Sequence, residues 1–72
     1  MAQPPLTVAR VQERLNEIRL LAHAKDPEAA HGREDSLYVD VLRAVVAGHP
    51  EARALAVEAL KARRIPFARW TG

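Results

Sequence analysis

The chain contains no cysteine, which excludes disulfides and thiolate metal sites and fits a reducing compartment. Aromatics are scarce, with one Phe, one Tyr and one Trp, so any core must be built mainly from aliphatic side chains. The three glycines, Gly32, Gly48 and Gly72, are scattered, and no phosphate-cradling loop can be assembled from them. No apolar run approaches the roughly 18 residues of a membrane span. The amino terminus also lacks the basic-then-apolar order of a signal peptide. These absences predict a soluble, unprocessed, cytoplasmic protein with no membrane partner. No repeat, low-complexity tract or domain linker is visible.

What is present is 72 residues, 49% hydrophobic and 28% charged, with fourteen alanines. That length allows one domain, close to the lower size at which a core holds a fold without staples. The alanine content favours helices that approach closely. The net charge is only +2, yet its distribution is polar along the chain. Residues 26–40 carry five acids and one base, and residues 53–72 carry five bases and one acid. A basic tail can therefore fold back on an acidic middle, and need not await a nucleic acid.

Local signals predict an all-α, three-helix domain spanning residues 1–72, with a C-terminal tail packed back on the helices. Pro4-Pro5 excludes helix, and Thr7 is a suitable N-cap for a first helix over about 7–25. Val8, Val11, Leu15, Ile18 and Ala22 recur at three- and four-residue spacings and form one narrow seam. Leu6 and Leu20 fall off that seam and form a candidate interaction surface. "DPEAA" opens a second helix over about 27–47, with Asp26 as N-cap, Pro27 at the first helical position and Glu28 in the first turn. In that helix Ala30, Leu37, Tyr38, Val41, Leu42, Val45 and Val46 predict a broad buried arc. Gly32 weakens the helix by about 1 kcal/mol, and a break there is the alternative to a continuous helix.

"AGHPEA" predicts a left-handed stop at Gly48 and a third helix over about 50–63 beginning with Pro50. Its buried stripe is Ala52, Leu55, Ala56, Ala59 and Leu60. Pro66 forces Ile65 towards an extended conformation, and the apolar Ile65, Phe67 and Trp70 of "IPFARW" predict a tail docked over 65–70.

"EAAHGREDSLYVDVLRAV" followed by "IPFARW" resembles a group of small helical proteins of actinobacteria and their phages. Their pattern is E-A-A-H-x-x-E-D-x-L-aromatic-x-D-V-L, followed by a C-terminal F-A-R-W. The resemblance covers roughly residues 26–70. It implies a short, cytoplasmic helical protein, encoded by phage or host, and carries over no catalytic or binding residue. Gly32 and the Thr71-Gly72 end depart from the pattern.

His31, Glu34 and Asp35 share a face of a continuous second helix, since residues three and four apart are neighbours. Four readings compete for this cluster, the simplest being that its members are plain solvated charges. A metal site would need a third or fourth ligand, with His23 or His49 as the imidazoles within reach. A catalytic set would pair Ser36 with His31, five residues apart on different faces. The favoured reading is structural: a carboxylate of the cluster held by Arg69 ties the tail to helix 2. No enzyme activity, metal or cofactor is expected.

Two binding functions follow from what is left. The first is a non-enzymatic protein-interaction or regulatory module, acting on another protein or by self-association through surplus apolar surface. The alternative is nucleic-acid binding through helix 3 and the basic tail, using Arg53, Lys61, Arg63, Arg64 and Arg69. It is suggested by a pI of about 9.7 and a helix-turn-helix-like Ala44-to-Gly48 spacing. It is opposed by Pro50-Glu51 at the start of the helix that would enter a groove.

Overall fold

In the computed structural model, which describes residues 5–69, the chain folds into three α-helices: α1 (Val8–His23), α2 (Pro27–Val46) and α3 (Ala52–Leu60). A short 3-10 turn over Lys61–Arg64 follows α3. Thr7 Oγ1 accepts from the Arg10 amide at 3.0 Å and caps α1, and Asp26 Oδ1 accepts from the Ala29 amide at 3.2 Å and caps α2. Pro27 occupies the start of α2, where its missing N–H costs nothing.

Both inter-helix stops use the same hydrogen-bond pattern. At the end of α2, Gly48 takes φ +75°, its amide donates to Val45 O, and the His49 amide donates to Ala44 O. At the end of α1 the left-handed position is held by Lys25, at φ 59°. There the Lys25 amide donates to Ala22 O and the Asp26 amide to Leu21 O. These paired bonds satisfy carbonyls that a helix end otherwise leaves open. A lysine carries strain in this conformation that glycine does not.

The core forms where the inward rows of the helices meet. Val11, Leu15 and Ile18 of α1, Ala30, Leu37 and Val41 of α2, and Leu55 and Ala59 of α3 are buried, together with Ala62 and Ile65. Val8, Ala22, Ala44, Ala56, Tyr38 and Phe67 pack against them at the margin.

Several boundaries and faces differ from the sequence expectation. Helix 1 is shorter than 7–25, because the left-handed Lys25 ends it. Helix 2 runs unbroken through Gly32. Helix 3 begins at Ala52 and not at Pro50: the Ala52 amide donates to His49 O, so His49–Ala52 forms a turn ahead of the helix. Its far end tightens into the 3-10 turn, which rotates Ala62 and Ile65 inward and leaves Leu60 62% exposed. Leu42, Val45 and Val46, expected in the buried arc, are also exposed. Both neighbours of α2 lie on the side of Leu37 and Val41, and among the described residues no element covers the opposite side.

Two substitutions test this backbone. Gly32 is helical, and a Cβ added there meets nothing within 4 Å, so Gly32→Ala raises stability by about 0.4–1 kcal/mol. Lys25→Gly relieves left-handed strain of about 1 kcal/mol. Urea titration checks both, and a lowered midpoint for either would contradict the assigned geometry.

Candidate functional site

Ala30, Glu34, Leu37 and Val41 are the buried residues of α2, and their spacing places them in one inward row. A carboxylate therefore stands where the period calls for an aliphatic side chain, 1% exposed as a residue. Such a group must be paired and hydrogen-bonded to remain charged. Arg69 supplies the pairing: Nε donates to Glu34 Oε1 at 3.0 Å and Nη2 to Oε2 at 2.8 Å. The Tyr38 hydroxyl, one turn along α2, donates to Oε2 at 3.1 Å.

The arginine is itself held from several sides. Its Nη2 also donates to Ala62 O at 2.9 Å, its Nη1 reaches Phe67 O at 3.4 Å, and its guanidinium carbon lies 3.8 Å from the centroid of the Phe67 ring. The 3-10 turn presents the Ala62 carbonyl, and Ile65 before Pro66 is extended, at φ −76° and ψ 118°, which ends the helical path of the chain. Ile65 is buried and Phe67 packs against the core. The tail expectation for Trp70 falls outside the described residues.

Desolvation pushes the Glu34 carboxyl upward, but hydrogen bonds from Arg69 and Tyr38 and the fields of Arg69 and Arg63 outweigh it, leaving Glu34 below the usual carboxylate range. Tyr38 is pushed up to about 12, first by burial and then by the charge and hydrogen bond of Glu34. The hydrogen bond to Glu34 raises Arg69 further. A depressed carboxylate stabilises the fold above its unfolded value, and that contribution is lost as pH falls through the folded one. A raised phenol acts with the opposite sign: its contribution is complete below about pH 10 and declines as pH rises towards 12. Both Glu34 oxygens and the guanidinium are engaged internally, so the cluster is suited to holding the tail and not to moving protons.

The remaining cluster members stand apart from this clamp. Asp35 is exposed, and its contact with His31 Nε2 is long, at 3.6 Å. The carboxylate held by Arg69 is thus Glu34 alone, because only residue 34 is in phase with Leu37 and Val41. Ser36 is exposed. No group of three or more His, Asp or Glu side chains among the described residues is arranged to hold a metal. His49, considered only as a distant ligand, is a strut: Nδ1 accepts from the Glu51 amide at 2.9 Å and Nε2 lies 2.8 Å from Leu6 O. These bonds place the ring proton on Nε2 and tie the segment before α1 to the turn before α3.

Leu6 is half-buried and packs against the core. Leu20 is 71% exposed, and among the described residues of the tail none covers it. Its helix phase puts it on the same side of α1 as Glu13 and Glu17, apart from other exposed aliphatics. The apolar surface missed from the sequence lies elsewhere: Val39, Leu42, Val45 and Val46 on α2, and Val57 and Leu60 on α3. Among the predicted bases, Lys61 pairs with Glu58 at 3.0 Å, Arg69 is consumed by the clamp, and Arg53, Arg63 and Arg64 are exposed. Lys61 and Arg64 border a shallow cleft with Arg19, Ile65 and Pro66, and Arg19, His23 and Lys25 border the next one.

The geometry defines a class, a small all-α three-helix domain closed by a buried carboxylate–arginine pair. Comparison with known proteins adds no relative: no family model, no curated protein and no solved structure matches the chain.

The clamp is testable at its centre. Arg69→Ala strands a buried carboxylate and should cost about 3 kcal/mol. Glu34→Gln keeps the shape and should cost about 2 kcal/mol through weakened charge-assisted bonds. Deleting 65–72 removes Ile65 and Phe67 as well and should exceed both. Equal melting of truncated and full-length protein would refute the docked tail. Tyr38 is the sole tyrosine, so tyrosinate absorbance reports it directly. The midpoint should lie near 12 and fall in Glu34→Gln by only part of the rise, because burial, its largest cause, remains.

Proposed function

We propose that this chain is a small, non-enzymatic protein-interaction module of the cytoplasm, of the phage-derived kind its sequence resemblance suggests. The observation that supports this reading is the placement of its aliphatic side chains. Leu42 (63% exposed), Val46 (88%), Val57 (55%) and Leu60 (62%) stand on outer helix faces, while Glu34, the buried member of the polar cluster that sequence raised as a possible site, is spent on internal structure. Exposed aliphatic surface of this kind on a domain of this size is suited to burial against a protein. A photo-crosslinking side chain at position 46 should form discrete protein adducts in cells, whereas one at position 13 should not. Adducts at neither position, or equal diffuse labelling at both, would count against the reading.

A second reading, nucleic-acid binding, is favoured by one arrangement. Lys61 and Arg64 meet Arg19, and Arg19 in turn meets His23 and Lys25, around Ile65-Pro66. If this surface binds phosphates, affinity for a duplex or single-stranded oligonucleotide should fall steeply with salt, and Lys61→Ala or Arg64→Ala should each reduce the slope by about one. No anisotropy change at low salt would dispose of it.

A further inference from the structure

The outer side of α2 carries a row at four-residue spacing, Asp35, Val39 and Arg43, all exposed. Leu42 and Val46, exposed as well, flank it on one side. The small residues Gly32 and Ser36 flank it on the other, and a Cβ at Gly32 would meet open space. The row has an acid and a base at equal distances on either side of an aliphatic residue. Among the described residues Arg43 takes part in no salt bridge, and Asp35 has only its long contact with His31.

Read in reverse, the row is its own complement. We propose that a second copy of this chain seats antiparallel on this face, across a two-fold axis at Val39. Asp35 of each copy then meets Arg43 of the other, and Val39 packs on its counterpart. This deepens the protein-interaction reading above and rests on it. An isologous contact requires that if residue i meets residue j, then j meets i, and the acid–valine–base row satisfies that requirement twice. At a crossing of about −50° the four-residue rows of two helices run parallel to one another, so the two copies of this row lie along each other. In that crossing the Leu42 side chains of both copies fall on the same side of the contact close to the axis, with each Val46 further out towards one end. The opposite side carries Gly32 and Ser36, small enough for the backbones to approach. An unrelated partner would have no need of the internal symmetry.

The contact is small and its ion pairs are exposed, so association should be weak and salt-sensitive. Sedimentation equilibrium of the full chain at low salt, from tens of micromolar to about a millimolar, should show a reversible monomer–dimer equilibrium. Asp35→Arg alone, or Arg43→Asp alone, sets like charges against each other at both ends and should weaken dimerisation by about tenfold or more, with unchanged helical circular dichroism. The double variant Asp35→Arg/Arg43→Asp exchanges the signs and should restore it. An equimolar mixture of the two single variants should form the heterodimer, since each then offers the other opposite charges at both ends.

A monomer throughout the range, a dimer indifferent to either reversal, or a double variant that stays monomeric would each overturn the proposal. If the chain proves monomeric while position 46 still crosslinks to a different protein, the second copy is excluded and the interaction-module reading stands. If position 46 forms no adduct with any protein, its own copy included, that reading fails as well.

Discussion

The carboxylate of Glu34 is the constraint around which this small domain is arranged. Charge placed in an aliphatic row must be met from outside the helix, because α2 itself offers only the Tyr38 hydroxyl. The chain meets it by bending a 3-10 turn, extending through Ile65-Pro66 and returning Arg69 to the core edge. The aliphatic and aromatic contacts of the tail follow from that route. A buried ion pair is not an efficient source of stability compared with a well-packed aliphatic pair. It is directional, however, and a bidentate guanidinium fixes where the tail must lie in a way that contacts among alanines cannot.

The helix boundaries were legible where the chemistry is local. Thr7, Asp26-Pro27 and Gly48 announce caps and stops that depend on neighbours a few residues away, and the α1 seam of Val11, Leu15 and Ile18 is a pure period. Lys25 was not legible as a left-handed stop, because nothing about a lysine requires that conformation. The demand comes from Asp26-Pro27, which must start a new helix immediately. The outward turn of Leu42, Val46 and Leu60 was hidden for a different reason. Aliphatic periodicity marks a face as apolar without saying whether another element exists to cover it, and α3 is too short and too tightly finished to do so.

The polar cluster was half legible. An acidic middle and a basic tail indicated that a carboxylate would meet Arg69, and adjacent Glu34 and Asp35 looked equivalent by composition. The distinguishing signal was phase: residue 34 stands four after Ala30 and three before Leu37, whereas residue 35 points away. His49 was less accessible still, since its partners, the Leu6 carbonyl and the Glu51 amide, are backbone groups that side-chain pattern does not reveal.

The clamp also bears on the order in which the fold assembles. Helix hairpins close through short loops, whereas Glu34 and Arg69 are separated by 35 residues, and ordering the tail carries an entropic cost that is recovered only once the core edge exists. A contact made by the tail on a finished core edge is expected to form late, after the folding barrier has been crossed. Interactions absent from the transition state act on the unfolding limb of a chevron. Loss of Arg69 should hasten unfolding and leave the refolding rate nearly unchanged, and a matching slowdown in refolding would place the clamp in the nucleus instead. On this account Arg69 acts as a latch on residence time in the native state.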